Sequence, residues 1–254
     1  MTLAMHAKLN RPEGRKRRNP GRPSADAQPA LSGEAIFAKG LQLCRRVPLQ
    51  ELSVVRMARE LEVTPALIHY YLGGREALTS GVMNAYYREL AEALPPQSGD
   101  WRADVAAVMR VIYDKQVKYA GIATYVMTHN RYRLFQDVEP GETDYGVVYF
   151  DRLAGCVRQA GMNASTTAMF VHLLLQHVLA SAYQESSHQL PGDHHAFLVS
   201  RLSRIDAGER PNLHYLLDAF ASLKGEAAFE AGLELLLEGM AASVPARRKR
   251  SARR

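Results

Sequence analysis

One segment, Ser53–Leu78 (SVVRMARELEVTPALIHYYLGGREAL), constrains this chain more than any other. It divides into two short helical patterns joined by a tight turn. Ser53 is a capping residue, and Val54, Met57, Ala58 and Leu61 follow it at helical spacing as core positions. Thr64 caps the second pattern, with Pro65 in its first turn, where a missing N–H costs nothing. Ile68 and Leu72, four apart, turn inward, and Gly73-Gly74 ends the helix. Thr64, Ala66, His69 and Tyr70 are then left on the opposite face. A short helix with an anchored inner side and a polar, aromatic outer side fits a helix-turn-helix, whose second helix enters the major groove of DNA.

The candidate DNA contacts follow from that geometry. Thr64, Pro65 and Ala66 sit at the end of the helix that would enter the groove, and His69, Tyr70 and Tyr71 carry hydrogen-bonding rings. Ser53 and Arg56 open the supporting helix, and Arg75 opens the helix after Gly74. Helix N-termini present free N–H groups to anions, so these three suit phosphates. The bland alternative is a helical hairpin whose exposed aromatics are incidental.

Charge supports the nucleic-acid reading. Of the net +6, residues 1–28 contribute +5 and residues 246–254 contribute +6, which leaves the body between them at −5. Clustered cations release counterions from DNA, each phosphate contact adding ~0.9 to the logarithmic salt slope. Residues 1–28 lack apolar periodicity and read as a disordered arm. Within them, Arg18-Asn19-Pro20-Gly21-Arg22-Pro23 resembles minor-groove arms of the AT-hook type, which makes Arg18 and Arg22 candidate contacts. Generic phosphate binding and solvated tails are the alternatives.

The rest of the chain reads as helices with no convincing strand pattern. The periodicity predicts helices over about 32–46, 75–94, 101–119, 143–160, 165–187, 196–204, 212–223 and 226–242, with shorter pieces up to Val138. In the last, Phe229, Gly232, Leu233, Leu236 and Met240 form one stripe. No apolar run approaches the ~20 residues of a membrane span. The basic N-terminus lacks an apolar region behind it, so a secretory signal is not expected. Cys44 and Cys156 read as reduced packing residues of a cytoplasmic protein.

From Leu31 to Leu90 the chain resembles the N-terminal domain of the tetracycline-repressor (TetR) family. Met57-Ala58, Val63, Ile68, Tyr70, Tyr71, Arg75, Glu76 and Leu78 stand at the family's signature positions. Leu72 replaces a Phe, His69 a Tyr, Glu62 the usual turn Gly, and Gly74 an Asn or Ser cap. Phe229–Gly239 also resembles the last helix of many members. The resemblance implies an all-α protein with a basic arm at 1–28 and a helix-turn-helix DNA-binding domain at 29–80. It further implies an effector-binding and dimerisation domain at 81–245, ahead of the basic tail at 246–254. The function it implies is that of a transcriptional regulator, a repressor, not an enzyme. Such a protein binds a double-stranded operator as a homodimer and answers to a small-molecule effector. The dimer would form through the helices at about 165–187 and 226–242, whose near-continuous apolar surface fits either that seam or a buried core.

For the cavity of that second domain, Met109, Tyr113, Gln116, Tyr125, His129, Tyr149, Leu153 and His172 are the candidates. Rings with one polar tip suit a mostly apolar pocket that needs a few hydrogen bonds. For any one of them plain core packing is the competing reading. His188, Asp193, His194 and His195 invite a metal site and hence an all-α metal-dependent enzyme, but no Cys or paired carboxylate lies close in sequence. No phosphate loop, nucleophile elbow or His-Glu zinc motif is present, and no cofactor is expected. A DNA-coating protein without sequence preference is the third possibility.

Overall fold

The first described helix starts where the sequence supplies a cap. In the computed structural model, which describes residues 31–129 and 133–244, the Ser32 hydroxyl accepts a hydrogen bond from the Ala35 N–H at 3.1 Å. That fixes the start of α1 (Gly33–Leu43), with Ile36, Gly40 and Leu41 buried. A short 3-10 turn, Leu49–Glu51, leads to α2 (Val54–Glu60). There the Ser53 hydroxyl accepts from the Arg56 N–H at 3.1 Å. Side-chain caps recur down the chain. Thr64 accepts from Leu67 N at 3.3 Å to open α3 (Pro65–Leu72), and Gly73, at φ 74°, closes it. Asp100 caps α5 (Trp101–Lys118), Asp144 caps α7 (Tyr145–Arg158) and Asn163 caps α8 (Ala164–Ser186). Between these lie α4 (Arg75–Ala93) and α6 (Ala120–Thr128). The chain continues through α9 (His195–Leu202), α10 (Pro211–Ala221) and α11 (Gly225–Ser243). No strand occurs among the described residues, and none of the helices is long and apolar enough to cross a membrane.

One connection and two core positions correct the sequence expectations. The predicted loop from His188 to His195 contains a 3-10 turn, Pro191–His194, closed by the Asp193 carboxylate accepting from the Leu190 N–H at 3.2 Å. The predicted core positions Leu61 and Leu236 are only half-buried. In α11, Leu237 takes the inward position beside Phe229, Leu233 and Met240.

Helix α8 is the centre of the body, packed by α5, α6, α7 and α11, while α4 runs between α1 and α7. The α8–α11 pair is antiparallel and close. Gly225, Gly232 and Gly239, seven apart on α11, face Glu185, His177 and Phe170 of α8. A side chain at Gly225 or Gly232 would run into those partners. The His177 ring packs parallel to Phe229 at 5.4 Å and bonds the Phe229 carbonyl oxygen at 2.9 Å. On the other side of Phe229, Tyr113 of α5 stacks at 4.2 Å. Arg102 and Arg110 of α5 reach Glu234, Glu238 and Glu230 along the outer edge of α11.

The linker from α4 to α5 is tied down by one carboxylate. Asp104 accepts from the Ser98 hydroxyl at 2.7 Å, the Ser98 N–H at 2.8 Å and the Gly99 N–H at 3.2 Å. These bonds, the Ser98 hydroxyl first, hold its pKa below the usual carboxylate range. Arg152 of α7 caps the end of α4, donating to the Ala91 carbonyl oxygen and, just past the helix, to those of Leu94 at 3.0 Å and Pro95 at 3.2 Å.

Candidate nucleic-acid interface and the helical body behind it

Helix α3 is held from one side only. Ile68 is fully buried and Leu72 nearly so, packed with α1, α2 and α4. Thr64, Pro65, Ala66, His69, Tyr70 and Tyr71 are all exposed, Tyr70 by 82% and Tyr71 by 41%. The two tyrosine rings meet edge to face at 5.4 Å, which limits how each can turn. A helix anchored behind and bare in front can enter a groove without unfolding anything else.

The turn before α3 keeps its shape without glycine. Glu62 adopts φ 55°, the left-handed conformation a glycine would take. The Val63 N–H reaches back to the Ala58 carbonyl at 2.9 Å and the Glu62 N–H to Arg59 at 3.3 Å. This pair of bonds forms a Schellman closure of α2.

The three phosphate candidates differ. Ser53 is half-buried, and its hydroxyl is already used as a cap. Arg56 is half-buried and stands 3.7 Å from Glu51, while its Nε is buried with no hydrogen-bond partner. Arg75 is exposed and donates one N–H to the Gln50 carbonyl at 2.5 Å, which pins its guanidinium beside the 3-10 turn. Arg18 and Arg22 lie outside the described residues, as does the whole basic tail 246–254.

Besides α4, which packs on both α1 and α7, specific polar contacts join the N-terminal helices to the body. The Gly121 N–H of α6 donates to the Cys44 carbonyl at the end of α1, at 2.8 Å. A Cβ on Gly121 would collide with the Val47 carbonyl, so only glycine permits this approach. Arg133 bonds Glu76 of α4 at 2.6 Å and the Tyr125 hydroxyl of α6 at 3.2 Å. Burial would lift the Glu89 carboxyl of α4, but hydrogen bonds from Tyr119, Lys115 and Lys118 outweigh it and bring its pKa below the usual range. Sequence reasoning missed Gly121, Glu89 and Arg133, because partners so far apart in the chain leave no local pattern.

The eight predicted cavity residues separate into two groups. Met109, Tyr113, Gln116, Tyr125, Tyr149 and Leu153 are buried among α5, α6 and α7. His129 is exposed, its ring stacked on Tyr125 at 4.4 Å. His172 is exposed on the outer side of α8 beside Met169, so it does not line an interior cavity. The helical phase explains this: Val171 and Leu174 turn inward and carry His172 out. Tyr86 of α4 was missed; it is buried, and its hydroxyl has no partner. Tyr113 OH and Gln116 Oε1 are likewise buried and unpaired. Burial pushes the Tyr113 phenol up to about 12, with the Glu185 and Glu226 carboxylates adding to it. Tyr86 lies well above the ordinary phenol range, again through burial. An open groove of about 1130 Å³ runs between α1, α4 and residues 137–145, but none of the eight residues lines it. No cluster among the described residues could hold a metal ion, and His188, His194 and His195 form no such group.

The comparisons agree with this architecture. Residues 94–244 match the tetracyclin repressor-like, C-terminal domain. Apo ActR from Streptomyces coelicolor is 26% identical, with a TM-score of 0.70 over 86% of this chain and 98% of that one. ActR in complex with actinorhodin is 25% identical, with a TM-score of 0.68 over 85% and 99% of the two chains. The transcriptional regulator SCO7222 from the same organism, at 19% identity, shares the fold with a TM-score of 0.65 over 84% and 99%. No curated protein matches the chain in sequence. With the family's C-terminal domain covering more than half its length, the chain belongs to the tetracycline-repressor-like (TetR) family of transcriptional regulators.

Proposed function

We propose that this protein is a one-component repressor that binds a pseudo-palindromic operator in the cytoplasm as a homodimer and leaves it when a small organic effector binds. Residues 29–80 would contact DNA, and residues 81–245 would carry the effector site and the dimer seam. The observation that carries this reading is the bare outer face of α3, with Tyr70 82% exposed over a fully buried Ile68. Two copies would place these helices in successive major grooves, roughly 34–36 Å apart. His69, Tyr70 and Tyr71 would address bases and backbone, with Thr64, Pro65 and Ala66 at the tip and Ser53, Arg56 and Arg75 on phosphates.

The unpaired Tyr86 and Tyr113 hydroxyls and Gln116 Oε1 support an effector site in the body. Buried polar groups are rarely left without partners, and a ligand with matching donors and acceptors would satisfy them. Their aromatic and aliphatic surroundings favour a largely apolar ligand. Helix α4 is the lever between the two regions, and the Gly121–Cys44 bond gives α6 a second hold on α1. Effector binding would change the separation of the two α3 helices. By linkage, operator DNA must weaken effector affinity by the same factor.

Selection of bound sequences from a random duplex pool tests this directly. A two-fold symmetric consensus is expected. Equal binding of selected and random duplexes at fixed salt would leave a non-specific DNA coat instead.

A further inference from the structure

The groove of about 1130 Å³ between α1, α4 and residues 137–145 has no part in the function proposed above. It is long: Ala77, Gly81, Ala85, Arg88 and Glu92 line it from one face of α4, so it follows that helix for about 22 Å at ~1.5 Å per residue. Phe37, Tyr71, Leu72 and Ala77 give it apolar surface, and Phe37 packs directly on Gly81. Six carboxylates line it against three cations, Lys39, Arg45 and Arg88, so the groove as a whole attracts positive charge. Arg88 shows what it accepts. Its guanidinium joins Glu34 of α1 at 2.9 Å and Glu92 at 3.1 Å, 5.9 Å from the Tyr145 ring. Glu89 is engaged by Tyr119, Lys115 and Lys118.

Three carboxylates are left. Asp137, Glu139 and Glu142 are exposed and have no side-chain partner among the described residues. Their backbone is nevertheless fixed. The Gln136 N–H donates to Asp144 at 3.0 Å and the Glu142 N–H to the Glu139 carbonyl at 2.9 Å. Asn84 of α4 donates to the Thr143 carbonyl at 3.0 Å and accepts from the Tyr145 N–H at 2.9 Å, which ties the segment to the groove. An independent feature lies in the same place. Ser80 of α4 lines the groove at 4% exposure, and its hydroxyl has no hydrogen-bond partner. Buried hydroxyls are rarely left so, and a ligand N–H would satisfy this one.

We infer that the groove is a second ligand site, separate from the buried polar groups of the body, and that it takes a linear aliphatic polyamine. An extended chain suits a groove of this length. Its methylene segments lie on Phe37, Leu72 and Ala77, as the stems of long cationic side chains lie on apolar surface. Its ammonium groups meet Asp137, Glu139 and Glu142, with the Tyr71 and Tyr145 rings beside them and one N–H on Ser80 Oγ. A single metal ion does not fit, because no three acidic groups among the described residues come together as a metal site. Spaced carboxylates call for spaced charges. Tyr71 is also a proposed operator contact, so a ligand here touches α3 directly. That consequence rests on the operator reading, whereas the site itself does not.

Calorimetric titration of the full chain with spermidine, without DNA, tests the site. One saturable spermidine per chain is expected, retained when magnesium chloride is present at equal concentration. Asp137→Asn/Glu139→Gln/Glu142→Gln, all surface changes, is expected to bind about tenfold more weakly. Ser80→Ala is expected to lose affinity severalfold with helix content unchanged. Absence of saturable binding, equal displacement by magnesium, or parent-like affinity in the triple variant overturns the site. So does binding that appears only after residues 1–24 are deleted, since cations of the chain itself would then be the occupant. Operator affinity of the parent and the triple variant is next compared over a spermidine series at constant ionic strength, where direct effects of the polyamine on the duplex are common to both. A spermidine-dependent difference between the two proteins is expected. Equal responses overturn the link to α3. Failure of both proteins to prefer any selected duplex overturns the operator reading and leaves the calorimetric result to decide the site.

Discussion

Helices α3 and α10 both hold aromatic rings in solvent, and what stands beside the rings separates them. On α3 the exposed face that carries Tyr70 and Tyr71 also holds Thr64, Ala66, Leu67 and His69, with the guanidinium of Arg75 pinned close to the supporting turn. On α10 the exposed face that carries Tyr215 holds Leu216, Ala219 and Phe220, with Asp218 at its edge. A ring flanked by hydrogen-bonding tips and fixed cations suits a hydrated, charged polymer. A ring flanked by alkyl groups suits another protein. The lesson is that exposure alone does not identify a partner; the chemistry of the whole exposed face does.

That contrast can be broken by changing one face and measuring both functions. His69→Ala/Tyr70→Ala should weaken operator binding by ~2–6 kcal/mol, at ~1–3 kcal/mol for each lost contact. The dimer dissociation constant should not change. A filter-binding series beside sedimentation reads both, and a loss of dimerisation would show that the α3 face and the dimer seam are not independent. Gly121→Val, at the junction between the regions, forces a side chain onto the Val47 carbonyl. It should cost ~1–3 kcal/mol in denaturant unfolding, the usual range for overpacking. A parent-like midpoint would mean that α6 does not press on α1. The smallest expected effect is at the turn before α3. Glu62→Gly relieves a left-handed side-chain conformation and should raise stability by ~0.5–1 kcal/mol with operator affinity retained. A drop in stability would mean that the Glu62 side chain contributes more than its strained backbone costs.

Local chemistry was legible in the sequence. Ser53 and Thr64 each announced a helix start, and each accepts the expected backbone hydrogen bond. Ile68 and Leu72 gave the inward side of α3 from spacing alone, and the family resemblance followed from the same residues. Conformation at Glu62 was not legible, because Glu does not signal the left-handed backbone that a Gly there would. The Schellman bonds hold the backbone there whatever the side chain. Candidate cavity residues were legible only as amphipathic types. Which of them turn inward depends on helical phase against α8, and that phase put His172 outside. The exposed apolar face of α10 was not singled out, since an apolar helix reads the same whether it is buried in its own protomer or left in solvent.

The glycines at 225, 232 and 239 have a consequence for how this chain can vary. They act as a vernier: inserting or deleting a single residue in α11 would rotate about 100° of helix past α8 and put bulk where backbone now passes. Length changes are therefore barred from α11 but open to the loop between α9 and α10, where Asp206 and Gly208 stand in solvent. Related chains should keep the first in strict register and differ most in the second.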